Sequence, residues 1–289
     1  MLKSIITLLE DGVKQVNNLN VSVVLFRNEK EQIQNLINDL LAADHDFIQK
    51  IYLIDNSETS KLSTLAEINP KIIYIHCPEN LGYGAAHNIG INCSITDRVD
   101  YHLVVNPDIR IKPDVFVELI SYSNKNLDIG LIMPNIVYPD YSRQHLCKLL
   151  PTPLSLFSRR FLPKFISKRF DRKYNLLDID YSQIMNVPLL SGCFMFLRVA
   201  TLAKVGGFDP RFFMYLEDFD LVRRIHAKYK TIFYPKVEVI HEFAKGSYKN
   251  HKLMIYHIKS AIAYFNKYGW LFDSERRQIN KQFLKNIEK

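Results

Sequence analysis

The sequence predicts an α/β chain: a mostly parallel, Rossmann-like sheet with helices on both faces, followed by a helical C-terminal region. Three observations lead there. In the first half, short apolar runs of strand length alternate with segments whose apolar residues recur at helical spacing, and that alternation implies a parallel sheet covered on both sides. With 47% hydrophobic residues in 289, the chain can bury a substantial core as one large domain or two small ones. No apolar run approaches the ~18 residues that a membrane-spanning helix needs.

The elements follow in order. Residues 1–19 form a short amphipathic extension. Its apolar patch, Met1 to Leu9, is interrupted by Lys3, bounded by Glu10 and Asp11, and lacks a small-residue cleavage site. Val21–Phe26 is a buried strand, and Ile33, Leu36, Ile37, Leu40 and Leu41 then share one helix face. Ile51–Ile54 is the second strand, a helix from about Lys61 to Glu67 follows, and Lys71–His76 is the third strand. Tyr101–Val105 is another. Pro113 suits the first turn of a helix over Asp114–Ser123, and Ile129–Met133 is a further strand. Cys193–Leu197 reads as a strand, Val199–Val205 as two helical turns, and Gly206 and Gly207 as the positive-φ stop. Thr231–Ile240 is the last strand. In the tail, Met254, Ile258, Ala261, Ile262 and Phe265 share a helix face, Gly269 and Trp270 break it, and Ser274 caps a final basic helix.

Ligands of open parallel sheets bind beyond the carboxyl ends of the strands, so polar residues there are the candidates. Asp55 follows the second strand directly. It can cap the next turn, or accept a hydrogen bond from the imide N–H of a uracil or thymine. Asn80 to Gly90 places Gly82 and Gly84 before a helix from Ala85, where free N–H groups can face an anion; a plain tight turn fits equally. It is not the GxGxxG fingerprint, because His87 stands where the third glycine is required. Asn106 and Asp108, two residues apart, can face one hard cation, Mg²⁺ or Mn²⁺, or simply form a turn.

The densest stretch is Ser191 to Arg224. Glu217, Asp218 and Asp220 open a helix, where acidic groups are favoured by the helix dipole. Phe208, Phe212, Phe213, Met214, Tyr215, Leu216 and Phe219 surround them. A carboxylate in such a shell has its pKa pushed upward, as a general base requires.

The net charge of +8 points to an anionic partner: phosphates, a nucleic acid or an acidic membrane surface. Cys77, Cys93, Cys147 and Cys193 form no CxxC pair and fit reduced cytosolic thiols. The segment 141–186 breaks the strand–helix pattern. From Lys148 to Lys173 it interleaves basic and apolar residues, a pattern suited to an anionic membrane or a lipid-linked acceptor, to a solvated face over the core, or to nucleic acid.

Taken in order, the motifs IDNS, NLGYGAAHNIGI, NPDI, SGCFMFLR, GGFDPRFFMYLEDFDLVRR and HEFAKGS resemble the inverting family-two glycosyltransferases of GT-A fold, most of all their bacterial O-antigen and capsule branch of rhamnosyltransferases. The resemblance covers roughly Asn20 to Lys267. It implies a GT-A domain over 20–248 with a helical region over 249–289, a nucleotide-sugar donor, a divalent cation, Mg²⁺ or Mn²⁺, and inversion at the anomeric carbon. It further implies that Asp55 contacts the base, that Asn80, Gly82 and Asn88 lie in the donor segment, and that Lys245 and Ser247 face the diphosphate. Asn106 and Asp108 fall on the family's Asp-x-Asp metal motif, with a neutral first residue here, and His241 matches its later metal-proximal histidine. Asp218, with Glu217 before it, matches the catalytic acidic pair. The expected partners are dTDP-rhamnose first or a UDP-hexose second, and a saccharide or lipid-linked acceptor at the cytoplasmic face of the inner membrane, with no nucleic acid. The rivals are a nucleotidyltransferase, against which stands the absence of glycine in Arg27–Lys30, and a non-catalytic basic module binding membrane or nucleic acid, which would not need an acidic pair in an aromatic shell.

Overall fold

A computed structural model describes residues 17–156, 172–242 and 251–287. In chain order the elements are β1 (Leu19–Leu25), α1 (Lys30–Ala42), β2 (Ile48–Asp55), a 3₁₀ turn (Ser63–Ile68), β3 (Ile72–His76), α2 (Tyr83–Thr96), β4 (Tyr101–Val105), β5 (Ile109–Arg110), α3 (Val115–Lys125), β6 (Ile129–Val137), β7 (Met185–Asn186), β8 (Phe194–Arg198), α4 (Val199–Val205), α5 (Glu217–His226), β9 (Lys230–His241), α6 (His251–Tyr268) and α7 (Ser274–Ile287). The sheet order is β3-β2-β1-β4-β8-β6-β9-β5, with β7 beside β9. The pairs among β3, β2, β1 and β4 are parallel, as is β6 with β9; β8 runs antiparallel between β4 and β6.

β1 lies inside the sheet, between β2 and β4, and both of its faces are buried. Leu19, Val21, Val23 and Leu25 pack with Ile33, Leu36, Ile37 and Leu40 of α1. Val24, on the opposite face, packs with Tyr52, Ile54 and Ala86 of α2. This is the two-sided cover the alternation predicts. Three differences have local causes. The segment expected as a helix over 61–67 is only a 3₁₀ turn, with Asn69 extended ahead of Pro70. β6 runs past Met133 because a bulge, where its partner in β9 jumps from Tyr234 to Glu238, accommodates Pro134 and Pro235. Asp273, not Ser274, caps α7: its Oδ1 accepts the Arg276 N–H at 2.9 Å.

His87 is turned into the protein. Its Nδ1 lies 2.7 Å from Ser22 Oγ, which lies 2.8 Å from His102 Nε2; His102 Nδ1 lies 2.7 Å from Ser94 Oγ. Ser94 donates to the Gly90 carbonyl, so it accepts from His102 Nδ1–H, and the chain of donors runs consistently with both rings neutral. Burial lowers the His102 pKa from 6.5 to about 3 and that of His87 well below its ordinary value. Both folded pKa values are depressed, so the stabilisation is present above the unfolded value and is lost as pH falls from 6.5 towards 3. Between about pH 7 and about pH 4, His102 alone should cost ~3 kcal/mol. Guanidinium unfolding at the two pH values should show a smaller loss in His102→Gln; an equal loss would remove these histidines as the cause.

The C-terminal helices are fastened to α5. Arg223, 2% exposed in its side chain, pairs with Asp273 at 2.7 Å and Glu275 at 2.7 Å, and its guanidinium sits 3.9 Å from the Tyr268 ring centre. Asp220, fully buried, receives Lys267 at 2.6 Å, Tyr268 Oη at 2.7 Å and Arg224 Nε at 2.8 Å. A buried charge of this kind is tolerable only because each is matched by an opposite partner.

Candidate active site

The carboxyl ends of β2 and β4, the start of β8 and the end of β9 meet at one edge of the sheet. There the Asn106 N–H donates to the Cys193 carbonyl, and Ile109 pairs with His241.

Tyr215 and Leu216 both sit in the left-handed region, φ 68° and 62°. Neither is glycine, so each conformation costs about 1–3 kcal/mol and persists only where the surroundings impose it. Here the constraint is visible: Phe212 and Leu216 pack on Ala261, Tyr264 and Phe265, and Ser260 donates to the Met214 carbonyl at 2.8 Å. The result aims the first turn of α5 at the sheet edge. Asp218 Oδ2 accepts the Gly192 N–H at 2.9 Å, and its Oδ1 accepts the Phe219 N–H at 2.9 Å. Burial raises the Asp218 pKa, with the Gly192 N–H and Lys148 opposing the rise. Glu217 is 6% exposed, and its Oε2 has no hydrogen-bond partner among the described residues. Burial, then the neighbouring Asp218, pushes its pKa well above the carboxylate range. The two carboxyls are thus unequal: Asp218 is oriented and partly exposed, Glu217 is enclosed.

His241 Nε2 lies 3.2 Å from Asp108 Oδ1, and its Nδ1 lies 2.9 Å from Gln144 Oε1. Gln144 also donates to the His241 carbonyl at 2.9 Å, which fixes the ring. Adjacent ligands on an octahedral cation with ~2.1 Å bonds sit ~3.0 Å apart, so the Asp108–His241 spacing suits Mg²⁺ or Mn²⁺. Burial lowers the His241 pKa, but the adjacent Asp108 and Cys193 outweigh it and push it up to about 10, so a cation that takes Nε2 as a ligand must displace its proton. Among the described residues no group of three or more His, Cys, Asp or Glu side chains could hold a metal. A cation here would therefore need other oxygens, such as the Asn106 amide and donor phosphates.

The Tyr83 hydroxyl lies 2.9 Å from Asn106 Oδ1 and 2.9 Å from the Gly192 carbonyl oxygen, and it can donate to only one at a time. One phenol thus joins the Asn106 side chain to the residue whose N–H holds Asp218. Sequence reading passed over Tyr83, Gly192 and Gln144. The only signal for Tyr83 is its place between two glycines at a helix start, and Gln144 carries none.

The expected donor segment is built differently from its sequence reading. The Asn88 amide is engaged on both sides by one residue: it donates to the Phe208 carbonyl and accepts the Phe208 N–H, each at 2.8 Å. Gly207 makes room for this, since a Cβ there would lie 2.3 Å from Asn88 Oδ1; of the Gly206–Gly207 pair expected to share the positive-φ stop, Gly206 alone has positive φ. Asn80 Oδ1 accepts the Gly82 N–H at 2.9 Å, a local turn. Gly82, at φ 83°, brings α2 against the aromatic loop, where the Tyr83 N–H donates to the Phe213 carbonyl instead of facing an anion. Asp55, 1% exposed, accepts from the Tyr74 hydroxyl at 2.6 Å and the Ser57 N–H at 2.9 Å, so each of its oxygens already holds one partner at this strand end. Lys245 and Ser247 lie outside the described residues, as does 157–171 of the basic segment. Lys148, read as part of a membrane face, lies 5.6 Å from the Phe219 ring centre and lowers the Asp218 pKa.

Comparison with known proteins extends this. The family model for glycosyl transferase family 2 matches residues 22–203. An N-acetylglucosaminyl-diphospho-decaprenol L-rhamnosyltransferase of Mycobacterium tuberculosis is 27% identical over 209 residues, 68% of this chain and 67% of that protein. Rhamnosyltransferase WbbL of Escherichia coli is 26% identical over 278 residues, 90% of this chain and 98% of that one. A structure of GalNAc-T7 with UDP, GalNAc and Mn²⁺ superposes with a TM-score of 0.64 at 14% identity, covering 94% of this chain and 56% of that one. The mannosyltransferase PcManGT of Pyrobaculum calidifontis, with GDP-Man and Mn²⁺, gives 0.56 at 15% identity, covering 92% and 69%. At these identities the two structures speak for the GT-A fold alone. The family match spans more than half of the chain and takes in the strand-end Asn106 and Asp108 and also Gly192, and so the chain belongs to glycosyltransferase family 2.

Proposed function

We propose that the chain moves a sugar from a nucleotide-sugar donor to a saccharide or lipid-linked saccharide acceptor, inverting the anomeric carbon. The observation that carries this is the coupling of Asp218, gripped by two backbone N–H groups, through Gly192 and Tyr83 to Asn106 beside the Asp108–His241 pair. Asp218 takes the proton of the attacking hydroxyl. A single displacement needs one base and no covalent intermediate, so the enclosed Glu217 has no proton to take from the acceptor. Asp108 and His241, with Asn106 close by, would hold Mg²⁺ or Mn²⁺, which when bound offsets charge developing on the leaving diphosphate.

Two rhamnosyltransferase relatives support dTDP-rhamnose as first donor, with a UDP-hexose second. The mycobacterial relative's name supports a lipid diphosphate acceptor. No helix among the described residues is long and apolar enough to cross a membrane. The test is a donor screen that reads nucleoside diphosphate release with a short-chain N-acetylglucosaminyl-diphospho-lipid as acceptor. The expected result is release from dTDP-rhamnose with Mn²⁺ present. Release from adenosine diphosphate sugars only, or from no donor at all, would overturn the reading.

A further inference from the structure

The outer side of the C-terminal helices carries apolar groups left in water. Gly269, at φ 99°, ends α6, and three large side chains follow it: Trp270, Leu271 and Phe272 are 40%, 70% and 87% exposed. The strip continues back along α6, where Ile255 and Ile262, two helical turns apart, are 49% and 42% exposed, with exposed Lys259 between them. These residues are not an overflow of the core, because the opposite face of α6 packs Ala261, Tyr264 and Phe265 on Phe212 and Leu216. The tip is held in place: the Trp270 indole N–H donates to Asn266 Oδ1 at 2.8 Å, and its ring centre lies 5.2 Å from that of Phe265.

Cations frame the strip. Arg277 donates to the Leu271 carbonyl at 3.0 Å, which sets a guanidinium against the apolar tip. Lys281 and Lys285 follow at four-residue intervals on the exposed side of α7. The nearby acids are already matched, since Asp273 and Glu275 both pair with Arg223.

We propose that this edge, formed by Ile255, Ile262, Trp270, Leu271 and Phe272 with Lys259, Arg277 and Lys281, docks the protein on an anionic lipid bilayer. Apolar groups interleaved with cations fit the boundary between headgroups and acyl chains, and an indole with its N–H satisfied fits the same depth. Leu271 and Phe272, 70% and 87% exposed, are free to insert between headgroups. A second copy on a two-fold axis would set these cations against each other. The surface also connects to the site: the inner side of α6 touches the loop that delivers Asp218, with Phe213 and Tyr256 ring centres 4.6 Å apart and Tyr215 and His257 5.3 Å apart. Docking would thus hold the acceptor side of the site at the bilayer, a consequence that rests on the proposed lipid-linked acceptor.

Trp270 is the only tryptophan in the chain, so its emission reports on this edge without a label. Vesicles of phosphatidylglycerol and phosphatidylcholine in equal parts should shift it to the blue and carry the protein down on sedimentation, and salt should weaken both effects. Leu271→Ser with Phe272→Ser should lower partition at least roughly tenfold. Arg277→Glu should also weaken it, whereas Leu127→Ser, exposed elsewhere at 74%, should bind like the unmodified protein. Unchanged thermal melting checks that each variant folds. No shift, equal binding to phosphatidylcholine alone, or full binding by both tip variants would overturn the proposal. A blue shift on concentrating the protein without vesicles, together with a doubled mass, would assign the edge to a second copy and overturn it as well. The assay contains neither donor nor acceptor, so its failure would leave the glycosyl-transfer reading standing.

Discussion

Asp218→Asn should fold and bind donor normally while turnover falls by about 10² to 10⁴. The asparagine keeps the shape and can still accept the Gly192 N–H that orients residue 218, but it cannot take the proton of the acceptor. Donor affinity should survive because the base acts on the acceptor. Glu217 provides the contrast. Burial and the neighbouring Asp218 push its pKa up, which favours the neutral acid, and glutamine closely imitates that form. Glu217→Gln should therefore cost much less. The pH profile follows from the sign of the Asp218 shift. The base works only when ionised, and burial raises its pKa from 3.8, so turnover should fall as pH drops through that raised value. Lys148 opposes the rise, and Lys148→Met should move the acid limb to higher pH. Turnover at saturating donor, beside calorimetric donor affinity, decides the matter. A near-normal rate in Asp218→Asn, or a dead Glu217→Gln, would place the base elsewhere.

Asp108→Ala should abolish Mn²⁺-dependent donor binding and cut turnover by roughly 10² to 10³, since stabilising the charge of a leaving phosphate is worth several kcal/mol. His241→Ala should act in the same direction, because the two side chains approach to 3.2 Å. Asn106→Ala should cost less, its amide being neutral and already in contact with Tyr83 at 2.9 Å. Calorimetry of Mn²⁺ in the presence of dTDP reads the metal without turnover. Full activity in EDTA, or unchanged donor affinity in Asp108→Ala, would remove the cation from the mechanism.

Much of the architecture was legible in the sequence, because it rests on periodicities that local chemistry sets. The face of β1 that meets α1 is written in Leu19, Val21, Val23 and Leu25, and the helix faces of α1 and α6 in their spacing; the burial of Asn20 and Ser22 on its other face is not. The ordered motifs, including the Glu217–Asp218 pair, pointed to the family that the comparisons support. Local pattern also had limits: the strand read as Ile129–Met133 runs on to Val137, because the sheet absorbs Pro134 in a bulge.

What only the tertiary structure decided is where each polar group spends its hydrogen bonds. Asn88 looked available for a donor, but 120 positions along the chain the Phe208 peptide occupies its amide, and Gly207 is small to allow it. Lys148 looked like a membrane cation, but the chain returns it to the face of Phe219, where its charge acts on Asp218. Tyr83, with no chemical signal of its own, became the link between Asn106 and Gly192. A side chain's partner depends on which distant strands and loops reach the same sheet edge, and sequence separation carries no record of that. The residue types at the site could be read from the chain alone; their division into those that face substrate and those that hold the frame is set by packing.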